Sequence, residues 1–505
     1  MSIGINPTPF TRSVSRCKSE TQLATASINE TVSAIRNFPV EVLSEIFART
    51  VSSDAPLNSA LVVRRVCRKW DSVALATPEL WINVGVGRCL ATAKNAVNLS
   101  RRRPLDIVLR PEGSVQDRLA LESVVFGQIH RIRTLAFTSS GTAKISTRVI
   151  NNRALLLEQL VITGEQSELP MQLDDTFLHS APPRLQTLSL SRARYAENFS
   201  PTVPSLTCLS LINCCGWRSI GNILDTLVSL PLLQSFEWER DLHSRPELAL
   251  LPEHDQRHIF IPNLAELKMV DSLPVVGDIS SHISFPPECV VKLGVDIRDL
   301  PDGYNDDQDF LPFFEDAVVP HIGAAFPLNR GLILRIENHP EGRGFIVHLE
   351  SQPGDGQTAP VFFELGILAP EEFNDLQYLV LLNLLGSWPG FGDQVTHLTV
   401  THNDFGSSEE GWQVLLVHLT EIVYLKMSDA PAHTLLDAYD GAGPLHSHLA
   451  QLTFERVYLS EAEYAEYINI VQKGIHRPSQ IGSPSISLID CYLMGEYVKW
   501  DTRSL

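Results

Sequence analysis

The chain has 505 residues, of which 44% are hydrophobic and 20% charged, and it carries a formal net charge of −19 at pH 7. That composition marks a globular protein too long for one ordinary domain, so several domains or an extended repeat array are expected. The acidic balance disfavours a phosphate-backbone partner, and no apolar run nears the roughly 18 residues of a bilayer span, so neither nucleic acid nor membrane is an expected partner.

Met1 to Arg12 lacks the charged-then-apolar order of a secretory signal, so an intracellular location, cytosolic or nuclear, is expected. The cysteines, Cys17, Cys67, Cys89, Cys208, Cys214, Cys215, Cys289 and Cys491, form no Cys-x-x-Cys pair and read as reduced, mostly buried thiols. The sequons at Asn29, Asn98 and Asn198 carry little weight without a secretory route.

Residues 1–34 are rich in Ser, Thr and Asn and poor in large apolar groups, the mark of a disordered arm. A helical block follows over 35–82. Pro39 suits the first position of a helix, Glu41 and Glu45 complement its dipole, and Val42, Leu43, Ile46 and Phe47 form one apolar stripe. After a polar break at Ser52 to Pro56, the positions Val63, Val66, Cys67, Trp70, Val73 and Ala74 predict one amphipathic helix, with Arg64, Arg65, Arg68 and Lys69 between them and Thr77-Pro78 as its stop. So small a block leaves apolar surface uncovered, and some of it is expected to meet a partner; most apolar stripes, though, are core. A linker helix is expected over 83–104, ending at Arg101-Arg102-Arg103, which reads as a solvated helix end.

The run Phe38-Pro39-Val40-Glu41-Val42-Leu43-Ser44-Glu45-Ile46-Phe47, then Val66-Cys67-Arg68-Lys69-Trp70, then Thr77-Pro78-Glu79-Leu80-Trp81 resembles the F-box, in the form abundant among mushroom-forming (basidiomycete) fungi. The family usually begins Leu-Pro; Phe38-Pro39 departs from it and keeps an apolar group there. The resemblance covers roughly a tenth of the chain. It implies binding to the Skp-type adaptor of Skp-cullin-F-box ubiquitin ligases, and through it to a cullin. By that resemblance Pro39, Leu43, Ile46, Phe47, Val66 and Trp70 form or support the docking surface.

From Leu105 onward the pattern Leu-x-x-Leu-x-Leu recurs with conservative replacements. It reads as Ile132/Leu135/Phe137, Leu157/Leu160/Ile162, Leu185/Leu188/Leu190, Leu206/Leu209/Leu211, Leu233/Phe236/Trp238, Leu264/Leu267/Met269 and Val290/Leu293/Val295. It returns as Val395/Leu398/Val400, Ile422/Leu425/Met427 and Leu449/Leu452/Phe454. Central positions are spaced 25, 28, 21, 27, 31 and 26 residues apart in the first group and 27 and 27 in the second, at the long end of the leucine-rich-repeat range. Between triplets lie helix-compatible segments at Ile220 to Leu230, Phe373 to Leu385, Gly411 to Leu419 and Glu461 to Lys473. Strand followed by crossover helix gives a parallel sheet with a continuous core. The expected fold is therefore α/β: an N-terminal helical F-box, then a curved leucine-rich-repeat-like solenoid with a parallel sheet on its concave face. The array divides into a first part over 105–299, an irregular insertion with weak repeats over 300–392, and a C-terminal part over 393–505. Strand-like runs at Leu332 to Ile336, Phe345 to Leu349 and Val361 to Leu365 fall in the insertion, and Pro301 to Asp309 reads as an exposed acidic loop. The consensus Asn or Cys three residues past the last apolar position is met by Cys214 and Asn403 but not by Ala193, Ser272 or Val457.

Outward strand residues line the face that repeats of this kind use for recognition. They run Gln159, Val161, Thr163; Thr187, Ser189, Ser191; Cys208, Ser210, Ile212; Ser235, Glu237, Glu239; Glu266, Lys268, Val270; Lys292, Gly294, Asp296. Ser210, Glu237, Glu239, Glu266 and Lys268 are the candidate target-binding residues, with an acidic middle suited to a basic or polar protein segment. A solvated face without a ligand is the equal alternative. No Gly-rich phosphate loop, His-Glu-x-x-His or Gly-x-Ser-x-Gly elbow occurs, and His254 and His258 have no third ligand in view. No catalytic residue, metal or cofactor is expected. Together these features imply a substrate-recognition subunit of a Skp-cullin-F-box ligase that holds a protein target through its repeats. The alternative is a non-catalytic leucine-rich-repeat scaffold acting outside a ubiquitin ligase.

Overall fold

The computed structural model describes residues 38–50, 56–86, 90–109, 120, 123–139, 154–164, 170–173, 177–178, 182–195, 199, 201, 203–240, 248–251, 257–296, 331–338, 344–351, 361–368, 391–401, 409–429, 435, 449–473, 485–493 and 496–504. The N-terminal arm, the loop at 301–309, the segment 373–385, Asn403 and His254 lie outside them. The protein is α/β with a large, mostly parallel sheet, and it divides into two compact units, residues 1–137 and 138–505. The first three strands thus group with the helical block.

In the first unit α1 spans Val40–Thr50, α2 Pro56–Arg64 and α3 Arg68–Ala76, followed by a 3-10 turn at Pro78–Trp81. The Pro39 carbonyl accepts the Leu43 N–H (3.1 Å), so the proline stands just ahead of the helix it starts. The single amphipathic helix expected over Val63 to Ala74 is two. The Arg65 and Val66 N–H groups bond back three residues, to Val62 and Val63, and Cys67 is extended (φ −162°, ψ 168°) before α3 begins. Val62, Val63 and Val66 are β-branched and helix-averse at this junction, and the Arg64 side chain crosses the break to Asp71 (2.6 Å). Thr77, preceding Pro78, is extended and ends α3 as expected. Leu43, Phe47, Ala60, Val73, Ala74, Leu80 and Trp81 form the core of the block, with the Trp81 indole N–H donated to the Ala74 carbonyl (2.8 Å).

β1 (Asn83–Val86), β2 (Leu105–Leu109) and β3 (Ile132–Ser139) pair in parallel, with Val84, Ile107 and Leu135 abreast. The linker helix expected over 83–104 is shorter: α4 spans Leu90–Leu99, and the first residues of that stretch are the strand β1. Its C-terminal carbonyls are capped by one buried side chain. Arg131 donates through Nη2 to Val97 O (2.8 Å) and through Nη1 to Arg101 O (2.6 Å) and Arg103 O (3.0 Å), and Gln128 Oε1 accepts from its Nε (2.9 Å). Burial lowers the Arg131 pKa. Arg101, Arg102 and Arg103 are exposed, as a solvated helix end should be.

The second unit begins with six parallel strands in sequence order: β4 (Gln159–Gly164), β5 (Thr187–Ser191), β6 (Cys208–Ile212), β7 (Ser235–Glu239), β8 (Glu266–Ser272) and β9 (Val290–Asp296). The apolar residues Leu160, Leu188, Leu209, Phe236, Leu267 and Val291 stand abreast and are buried; Leu293, expected at this position, lies two residues on and pairs with Met269. α5 (Ile220–Val228) and α6 (Leu273–His282) connect them.

The insertion contributes β10 (Leu332–Asn338), β11 (Gly344–Glu350) and β12 (Val361–Leu368), at the three strand-like runs, but it enters the sheet backwards. β12 pairs with β9 in parallel, β11 lies antiparallel between β12 and β10, and β10 pairs in parallel with β13 (Val395–Thr401). A uniform parallel array is therefore corrected here. Only five residues separate β10 from β11 and ten separate β11 from β12, fewer than the dozen or so a parallel crossover needs, so hairpins are forced.

Past a short helix α7 (Phe391–Gln394) the parallel order resumes through β13, β14 (Tyr424–Ser428), β15 (Gln451–Glu455) and β16 (Ser485–Leu493), with α8 (Glu409–His418) and α9 (Glu461–Lys473) at expected positions. β17 (Glu496–Ser504), which the triplet pattern did not reveal, folds back antiparallel on β16.

One turn recurs after the strands. Arg192, Asn213, Asp429, Arg456 and Asp490, each two residues past the last inward apolar residue, are left-handed (φ 51–56°). The Arg192, Asn213, Asp429 and Arg456 N–H groups are donated to carbonyls of the next strand, at Ile212, Glu239, Glu455 and Ile489. Cys214 and Cys491, one position on, donate Sγ–H to the Leu190 and Phe454 carbonyls of the preceding strand (both 3.2 Å). At Cys214 and Cys491 this position thus makes a bond between neighbouring strands.

Candidate functional site

Helix α1 splits its apolar stripe. Leu43 and Phe47, four apart, are 1% exposed, and the Phe47 ring lies 4.9 Å from that of Trp70, itself partly buried. Val42 and Ile46, on the next row, stay in solvent, Ile46 at 39% exposure. The six residues that the F-box resemblance singles out thus divide: Pro39, Ile46 and Val66 (57%) are outside, while Leu43, Phe47 and Trp70 hold the helices that present them. Phe38, Val40 and Val62 are also exposed apolar side chains of this block; of the exposed set, Pro39, Ile46 and Val66 were named as docking residues from sequence and Val42 as part of the apolar stripe. The exposure of Val62 was not read from sequence, because the break after α2 was hidden by the periodicity. A small block with this many aliphatic groups in water is unlike an ordinary monomer surface. Near its N-terminal edge, the Lys69 ammonium donates to the Phe38 carbonyl (2.9 Å).

The second candidate surface lies on the polar face of the large sheet. Register places Ser210, Glu237, Lys268, Lys292 and Glu364 abreast on β6, β7, β8, β9 and β12. Ser210 donates to Glu237 Oε2 (2.6 Å), and the Lys268 ammonium reaches Glu237 Oε1 (2.9 Å) and Glu239 Oε2 (3.5 Å). Lys292 donates to Glu266 Oε1 (2.8 Å). All five candidate target-binding residues are therefore brought together, with Ser210 buried beneath the Glu237 carboxylate it bonds, and the expected acidic middle is partly neutralised. The ammonium groups of Lys268 and Lys292 offset two of the three carboxylate charges across strands. Burial alone raises the Glu237 pKa, yet the bonds from Ser210 and Lys268 outweigh it and leave it below the ordinary carboxylate value. Lys268 mirrors this: burial lowers its pKa, and Glu237 and Glu239 raise it further.

The same row runs on through residues not foreseen as a surface. His348 lies abreast of Glu364 and Arg335 of His348, and Thr399 and Lys426 follow. His348 Nδ1 is 3.5 Å from Glu364 Oε2, Arg335 pairs with Glu350 (3.2 Å) and Glu337 (3.3 Å), and Lys426 pairs with Glu455 (2.5 Å). Sequence reasoning missed this half because it needs the antiparallel insertion to set the register.

Other reactive side chains are tied into structure. Asp278, Ser281 and His282 cluster on α6, but Ser281 Oγ (2.9 Å) and Asp278 Oδ1 (3.2 Å) both meet the same His282 nitrogen, Nδ1, so no relay through the ring exists. Burial and the charge of Glu266 push the Cys289 thiol up to about 12, and burial raises those of Cys208 and Cys491, which keeps them protonated and non-nucleophilic at neutral pH. No helix among the described residues is long and apolar enough to cross a membrane. Compared with known proteins, the chain matches no family model and none of the curated sequences.

Proposed function

We propose that the chain is the substrate-recognition subunit of a Skp-cullin-F-box ubiquitin ligase. The helical block docks a Skp-type adaptor, and the sheet-bearing unit, read as a curved leucine-rich-repeat-like solenoid, holds a protein target on the concave side of its sheet. The observation that carries the reading is the number of aliphatic side chains in water on a block of three short helices, with Ile46 and Val66 among them. Water-exposed aliphatic groups on so small a block are a docking surface waiting for a cover. The repeat reading is supported by in-register triplets and by the shared left-handed turn after the strands. The protein contributes proximity, and other subunits of the ligase perform the transfer.

The test is adaptor binding by the full chain carrying Ile46→Asp and Val66→Asp. Both side chains are exposed, so the fold should survive with a change within about 0.5 kcal/mol, while adaptor affinity should fall by roughly a hundredfold or more. Unaltered affinity removes the proposal. A scaffold acting outside a ligase is the second reading, favoured by the burial of Leu43 and Phe47 in the chain's own core. Purification of the protein from cells in stable complexes lacking a cullin would support it.

A further inference from the structure

Between α2 and α3 the first unit holds a cleft of about 510 Å³ lined by Leu61, Arg64, Arg65, Cys67, Arg68 and Asp71. Its charge is lopsided: three guanidinium groups face a single carboxylate, in a chain whose formal charge is −19. Arg64 is already engaged, bonded to Asp71 (2.6 Å) with its guanidinium 5.9 Å from the centre of the Trp81 ring. Arg65 and Arg68 are exposed and pair with no carboxylate among the described residues. Two uncompensated cations held beside a third repel one another, and an anion between them would remove that cost. Val66, the exposed apolar residue of the docking face, lies in the chain between two residues of the cleft, Arg65 and Cys67. Val66 therefore borders the cleft, and a partner that covers Val66 is within reach of it.

We propose that this cleft receives an acidic polypeptide segment, rich in Asp or Glu, carried by the partner that covers the apolar face, with Arg65 and Arg68 as the residues that bind its carboxylates. The proposal rests on the docking reading above and adds its electrostatic half: the aliphatic residues supply burial, and the arginines supply association rate and register. A guanidinium fork suits a carboxylate in two-point contact, and a cleft of this size admits several side chains of a peptide.

The experiment measures binding of a Skp-type adaptor, and separately of a labelled oligoglutamate peptide, to the full chain in four forms: wild type, Ile46→Asp, Arg65→Glu with Arg68→Glu, and the milder Arg65→Gln with Arg68→Gln. Circular dichroism checks that each is folded. Charge reversal should weaken adaptor binding by roughly tenfold or more at about 50 mM salt, mainly through slower association, with the deficit shrinking as salt rises. The glutamine pair should show a smaller loss of the same kind, and Ile46→Asp a loss that salt does not rescue. If the reversed chain binds the adaptor within about twofold of wild type at low salt, the cleft proposal fails while adaptor docking stands. If the adaptor ignores wild type yet oligoglutamate binds in an Arg65- and Arg68-dependent way, the acidic-segment assignment is supported and the adaptor reading is refuted. Binding of inorganic phosphate as tight as that of oligoglutamate overturns the proposal in favour of a small-anion site.

Discussion

Replacing Asp271 by alanine removes the acceptor around which the turn after β8 is built. This carboxylate is fully buried, and Oδ1 accepts from Arg240 Nη2 (2.8 Å), Arg240 Nε (3.0 Å) and the Ser272 N–H (2.7 Å). Oδ2 accepts the indole N–H of Trp238 (2.9 Å). Without it a guanidinium that is 7% exposed loses this carboxylate's charge and both of its bonds to Oδ1. Breaking one side of a buried ion pair costs about 3–5 kcal/mol, and the orphaned indole donor adds to it, so Asp271→Ala should sit at the upper end of that range. Replacing both members by apolar groups, Arg240→Met with Asp271→Leu, should recover most of the loss, because the cost lies in the unpaired charge rather than in the missing attraction. Urea unfolding measures the global change. Amide exchange at Arg240, whose N–H is donated to Val270 O (2.9 Å), reads the same turn locally and does not need two-state unfolding of so long a chain. A loss under about 1 kcal/mol in Asp271→Ala, or a double variant no more stable than the single, would refute the reasoning.

Arg131→Ala should destabilise the first unit by about 1–3 kcal/mol, since it strips the donors from buried carbonyls at the end of α4, and Arg131→Lys should recover only part because an ammonium lacks the fork; thermal melts of both variants check this. The Glu237–Lys268 pair predicts a plateau in pH. Glu237 lies below its ordinary 4.5, so its contribution is complete above that value and is lost as pH falls through the lower folded pKa. Lys268 lies above its ordinary 10.5, so its share is complete below that value and is lost as pH rises through the higher folded pKa. In Lys268→Met the Glu237 carboxyl should titrate at higher pH, as followed by carbon-detected NMR, and an unmoved midpoint would remove the pairing from the account.

Much of the fold was legible because its signal is local and periodic. Alternating leucines fix which strand face is buried, and the triplets centred on Leu188, Leu209 and Phe236 align in the sheet as their spacing implies. What escaped is what periodicity cannot encode. Val63 and Val66 keep helical spacing with Trp70 and Val73, so the break at Cys67 was invisible, although three β-branched valines in that stretch weaken a helix. The direction of β11 was equally hidden, since alternation is the same for either strand sense and only the short connections decide it. At the polar face the residues were legible but their charge balance was not. Lys292 neutralises Glu266 only because β9 follows β8 in register, a fact about neighbouring strands rather than about either segment.

The residue three past the last inward apolar one varies between strands, and the turn there has a physical reason. Neighbouring strands are tied at this turn, at Cys214 and Cys491 by a thiol that donates to the neighbouring backbone. Where that position is Ser272 or Val457, the tie moves one residue back and becomes ionic. Asp271 grips Arg240 of the preceding unit, and Arg456 grips Asp429, with Arg456 Nε 2.9 Å from Asp429 Oδ1. The two ionic ties differ in worth. Arg240–Asp271 is buried and its rupture is costly, whereas Arg456 and Asp429 are 47% and 37% exposed, so solvent screens their attraction. At these two places the bond between neighbouring strands therefore changes in kind and is not lost.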